Sequence, residues 1–182
     1  LDFLALTDHV NGPMTSLPAD YLAGLDKMAS EHDPEGGFVT IPGAELMFEQ
    51  EDSDVEYGHK TLLLFGDSST LADLRIDDVR PEGATEATIE NCIDIWDWMV
   101  GLSADFGPAL LVAHHPALDK PMPTNWGCHN TAYAPGVEVY SGHGSSLGLS
   151  DGFAEPWSGE IVSGTVLTAL TDHDRQLGFL GG

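Results

Sequence analysis

Basic residues are what this sequence has least of: six lysines and arginines stand against 30 aspartates and glutamates, a formal net charge of -24. An outer field of that sign repels DNA, RNA and anionic membranes, and there is no basic stripe to neutralise phosphates. Nucleic-acid and membrane-surface roles are therefore not expected. Carboxylates spread along a lysine-poor chain are tolerable in concentrated salt, where repulsion is screened over a few ångströms, so a halophilic source is expected. Cysteine is nearly absent too. Cys92 falls in a helical pattern and Cys128 in a loop beside His129. Two thiols define no disulfide framework, and both are expected to be reduced. No apolar run approaches membrane length and no signal peptide is visible, which makes a cytoplasmic chain the expectation. The first residue is Leu1, and Gly181-Gly182 follow an apolar Leu177-Gly178-Phe179-Leu180 run, so both ends read as cut from something longer.

What is present is a series of short apolar runs that each stop at an ionisable group. At 182 residues the chain can bury a substantial core, and residues 1–182 are expected to form one domain. Leu1 to Leu6 is apolar except at Asp2 and stops at Thr7-Asp8-His9, as for a strand buried on both faces. Phe38 to Ile41 reads as a second strand, followed by Pro42-Gly43-Ala44-Glu45. His59-Lys60-Thr61 leads into a third, Leu62 to Phe65; Ala109 to Ala113 is a fourth, ending in His114-His115-Pro116. Gly136 to Tyr140 is a fifth, followed by Ser141-Gly142-His143, and Leu177 to Leu180 a last.

Between the strands, helical spacing predicts helices over about Pro18 to Ser30, Glu86 to Phe106 and Val166 to Leu170, with weaker character around Leu71 to Leu74. Ile89, Ile93, Trp96, Met99 and Val100 mark the expected buried face of the longest one. The carboxylates from Glu49 to Glu56 read as a solvated loop, and Ala117 to Pro135 as a lid or wall over a site. Alternating strands and helices point to an α/β barrel or a layered parallel sheet.

His9, Glu45, His115 with its neighbour His114, and His143 all fall at strand ends, where parallel α/β folds gather functional groups. His59 opens the third strand fourteen positions after Glu45, a spacing at which an antiparallel return brings the two together. Imidazole nitrogen and carboxylate oxygen suit zinc, manganese or iron, and a carboxylate between two ions bridges them. His129 and His173 are better explained as structural residues and His32 as an exposed helix-end residue, and Ser145-Ser146 has no base at readable spacing to make it a nucleophile pair.

The motifs Leu4-Ala5-Leu6-Thr7-Asp8-His9, Pro42-Gly43-Ala44-Glu45, the His59 strand, Ala113-His114-His115-Pro116 and Gly136-Val137-Glu138-Val139-Tyr140-Ser141 resemble successive motifs of the PHP (polymerase and histidinol phosphatase) superfamily. The resemblance implies a distorted (β/α)7 barrel, incomplete at both ends, whose His-x-His opening and Ser-Asp-x-His ending lie outside the sequence. It implies three divalent ions in the complete protein: His9 on an outer one, Glu45 bridging the other two, His59 on one of that pair. His115 or His143 fills the remaining place, with His114 the weaker option. The implied activity is hydrolysis of a small phosphoester by a metal-bridging hydroxide, with Asp8 orienting His9 or another ligand. Lys60, Lys120 and Arg175 are the conspicuous cations left to anchor a substrate, too few for a large anionic one. The alternatives are hydrolysis of a carbon–nitrogen or ester bond by the same ions, and a metal-binding domain without catalysis.

Overall fold

The computed structural model describes residues 3–7, 9, 20–21, 23–24, 27, 31, 39–47, 57–66, 92–118, 123–148 and 162–181. Asp8, Lys120, the acidic loop from Glu49 to Glu56, Leu71 to Leu74 and most of the helix expected from Pro18 lie outside them.

The apolar runs form strands β1 (Phe3–Leu6), β2 (Val39–Met47), β3 (His59–Leu64), β4 (Ala109–Ala113), β5 (Gly136–Ser141), β6 (Gly144–Ser145) and β7 (Gly178–Gly181). One seven-stranded sheet contains them in the order β1-β2-β3-β4-β5-β6, with β7 also on β5. β1 runs parallel to β2, β3 antiparallel to both β2 and β4, and β5 parallel to β4 and β7. This overturns the expected (β/α)7 barrel. A barrel of that kind is wholly parallel and closed; this sheet is mixed, and among the described residues β1 and β7 do not pair to close it. Among those residues, too, only one helix exceeds six residues, so the alternation of strand and helix does not hold.

Pro42-Gly43 does not end the second strand. It marks where β2 changes neighbours: Val39 to Pro42 pair with β1, and Gly43 to Met47 pair with β3. Proline, which has no N–H to give to a ladder, is tolerated at such a discontinuity.

Helix α1 (Cys92–Phe106) ends at Gly107, whose φ of 91° is a left-handed helix terminus that favours glycine. Ile95, Met99 and Leu102 form its buried stripe and pack with Leu46, Leu62, Leu64 and Leu111 from the sheet. Val100, expected in that stripe, is 51 % exposed. A second cluster gathers Ala113, Trp126 and Val137 around α2 (Val166–Thr171), whose Val166 and Ala169 are buried.

The described part of the segment expected as a lid packs into these two cores. Ala134 and Tyr133 join the first and Trp126 the second, with the indole of Trp126 donating to Gly164 O at 2.9 Å. Cys128 is disulfide-bonded, which corrects the expectation that its thiol is reduced. No helix among the described residues is long and apolar enough to cross a membrane.

Candidate metal centre

Register brings the chemistry together. The parallel β1–β2 pairing of Leu6 with Pro42 continues in step to an isolated bridge between His9 and Glu45. On the other side Glu45 pairs with Thr61 and Met47 with His59, so Glu45 and His59 share one face, two residues apart along the ladder. The β3–β4 ladder pairs Lys60 with Ala113 and is extended one step by His114 N–H donating to His59 O at 3.1 Å. The β4–β5 pairing of Ala113 with Val137 sets Glu138 alongside His114.

Glu45 is the hub. Its Oε1 lies 3.0 Å from His59 Nδ1 and 3.9 Å from His115 Nε2; its Oε2 lies 3.5 Å from His9 Nε2 and 3.5 Å from His114 Nε2. The ring of His143, on the turn between β5 and β6, sits 5.0 Å from that of His115. His114 also faces Glu138, its Nδ1 2.7 Å from Oε2.

Burial differs around this ring. The His59 and His115 side chains are 3 % and 4 % exposed, that of His9 49 %. Burial pushes the Glu45 carboxyl up, but hydrogen bonds with His115 and His59 and the charges of His114 and His9 outweigh it and hold the group far below the usual carboxylate range. Burial depresses His59 to about 4, against the pull of Glu45, and lowers His115 in the same direction. His114 is raised: burial opposes its charged form, but the Glu138 hydrogen bond and the Glu138 and Glu45 charges prevail. Burial likewise raises Glu138, and its contacts with His114 and His115 reverse that to a lowered value.

Ligand atoms of Glu45, His59 and His115 lie within 4.8 Å of one another, so this cluster could hold a metal ion. The donors fit that role: they are nitrogen and carboxylate oxygen, and the buried His59 Nε2 and His115 Nδ1 have no hydrogen-bond partner.

Of the residues expected from sequence, His9, Glu45, His59, His115 and His143 converge, and Asp8 lies outside the described residues. His114, expected to be the weaker option, contacts both acids. Glu138 is the member that the sequence did not single out. It stands in the Gly136–Ser141 motif that carries the resemblance, and its signal there was a carboxylate between the valines of Gly136-Val137-Glu138-Val139. Lys60 is not a substrate anchor: it pairs with Leu46 and Ala113 on the face opposite Glu45 and is buried, its Nζ donating to Tyr57 O at 2.6 Å and Thr124 Oγ1 at 3.3 Å. Arg175 is likewise engaged within the fold, donating to Trp126 O at 2.8 Å.

Compared with known proteins, the chain matches no family model, no curated protein and no solved structure.

Proposed function

We propose that this protein is a metal-dependent hydrolase, most specifically a phosphoesterase acting on a small phosphoester. The observation that carries the reading is the two-sided environment of Glu45: Oε1 faces His59 and His115, and Oε2 faces His9 and His114. A carboxylate set between two pairs of imidazoles suits a bridge between two divalent ions, zinc, manganese or iron by donor type. His143 adds a further imidazole on the His115 side. The motif resemblance to the PHP superfamily favours the same chemistry, and the reading does not depend on a barrel.

In this reading Glu45 and the imidazoles around it would hold the ions, which when bound would supply water activation and charge neutralisation at phosphoryl oxygens. Burial keeps His59 and His115 unprotonated at neutral pH, the form in which imidazole ligates a metal. Bound ions would also make the site locally positive within a chain of net charge -24, the requirement for admitting an anionic substrate. With Lys60 and Arg175 occupied inside the fold, a small phosphomonoester fits better than a polyanion.

The test is metal content and turnover. The expected result is zinc or manganese bound to the chain, hydrolysis of p-nitrophenyl phosphate or a similar monoester, and loss of that activity to a chelator. Glu45→Gln should lower metal affinity by more than about 100-fold, since even residues that merely support a ligand cost 10–100-fold. Bound metal with no turnover of any phosphoester rejects the phosphoesterase; turnover of an amide or carboxylic ester by the same protein would then establish the carbon–nitrogen or ester alternative.

A further inference from the structure

Two adjacent residues of an extended strand point to opposite faces. His114 and His115 nevertheless both turn toward Glu45, with ring centroids 4.1 Å apart and Nε2 atoms 3.5 and 3.9 Å from its two oxygens. The chain achieves this by leaving the strand: β4 stops at Ala113, and His115 takes a φ of 30°, a left-handed conformation that a residue with a Cβ seldom adopts. Something must hold that turn.

The group in place to do so is Glu138. Its side chain is nine-tenths buried, and a single oxygen, Oε2, accepts the backbone N–H of His115 at 2.9 Å and lies 2.7 Å from His114 Nδ1. One atom therefore engages both residues of the turn, the backbone of one and the ring of the other. With a proton on Nδ1 directed at Glu138, the Nε2 lone pair of His114 is left facing Glu45. The far side of the turn is tied by Leu118 N–H to His115 O at 3.0 Å and by Ala117 N–H to Ser146 Oγ at 3.3 Å, so Glu138 is the contact that acts on both imidazole-bearing residues.

We propose that Glu138 is a positioning residue whose Oε2 sets the His114 tautomer and the left-handed turn at His115, so that two consecutive imidazoles converge on Glu45 as metal ligands. The functional meaning of this arrangement rests on the metal-centre reading above; the arrangement itself can be tested in metal-free protein.

The experiment compares wild type with Glu138→Gln, Glu138→Asp and Glu138→Ala in two measurements: zinc or cobalt titration, and nitrogen NMR of the His114 ring without metal, in buffer alkaline enough for that ring to be neutral in every variant. Because one oxygen makes both contacts, a glutamine carbonyl can replace it, and Glu138→Gln should keep the Nδ1–H tautomer and near wild-type affinity. Aspartate retains the charge but withdraws the oxygen by one carbon–carbon bond, roughly 1.5 Å. It should lose the tautomer preference and about 10- to 100-fold in metal affinity, as alanine should. Rescue by the neutral, full-length side chain and not by the charged, short one separates positioning from a general charge effect, and it stands even if the alanine variant does not fold. Wild-type tautomer and affinity in Glu138→Asp overturn the proposal. If wild type binds no metal, the metal reading fails by itself, and the tautomer in the variants still decides the role of Glu138.

Discussion

His129 has 5 % of its surface exposed, and both Lys60 and Arg175 act on it electrostatically. Burial, with those two cations, depresses its pKa to about 3. In the unfolded chain it titrates near 6.5. Between these values the unfolded state binds the extra proton, so stability is present above pH 6.5 and falls as the pH drops through that window. From pH 7.5 to pH 5.0 this one group should cost about 2 kcal/mol, and the urea unfolding free energies of metal-free wild type and His129→Phe should diverge by about that amount across the range, the wild type having the steeper pH slope. Equal slopes would show that His129 is not held neutral by its surroundings. At this same scale the candidate site was largely legible in sequence, because His9 and His115 follow apolar runs where strands end and side chains can leave the core; Glu45 was found by the same pattern although it lies inside β2, paired with Thr61. Glu138 was not, since a carboxylate between valines reads as the solvent face of a half-buried strand. Lys60 was misjudged for the converse reason: its alternation partner in β3 is a site residue, which puts the lysine on the core side.

The strands β2, β3 and β4 are the frame that carries Glu45, His59 and the two consecutive histidines, and their other face is the core. Leu111, at the centre of β4, is fully buried among Leu62, Met99 and Leu102. Leu111→Ala should cost about 2–5 kcal/mol, read as a lowered urea midpoint. Because the side chain points away from Glu45 and the β3–β4 ladder is a backbone contact, the folded fraction should still bind metal; loss of binding without loss of stability would mean the two faces are coupled. The apolar runs revealed that these strands exist. They did not reveal direction, since a run buried on both faces looks the same in a parallel and an antiparallel sheet. The spacing from Glu45 to His59 suited an antiparallel return, and such a return is incompatible with the wholly parallel barrel that the motif resemblance implied. Pro42-Gly43 misled in a second way: chain-breaking residues signal the end of regular pairing, and here they mark an exchange of partners within one strand.

For the whole molecule, charge is the influence that no single contact answers. A net charge of -24 on 182 residues stores repulsion that folding concentrates and unfolding relieves. Raising the ionic strength shortens the screening length from about 10 Å at 0.1 M to about 3 Å at 1 M. The melting temperature should therefore climb between 0.1 and 2 M potassium chloride by at least about 4 °C, which for a chain of this length corresponds to roughly 1 to 2 kcal/mol. Salt also strengthens apolar burial in general, so the control is a non-ionic osmolyte at equal osmolality, which excludes itself from the surface without screening charge. A rise with potassium chloride well above that with sucrose identifies screening as the cause. A melting temperature indifferent to salt, or moved equally by sucrose, would mean that the acidic surface is already balanced at low ionic strength and would remove the physical case for a halophilic origin.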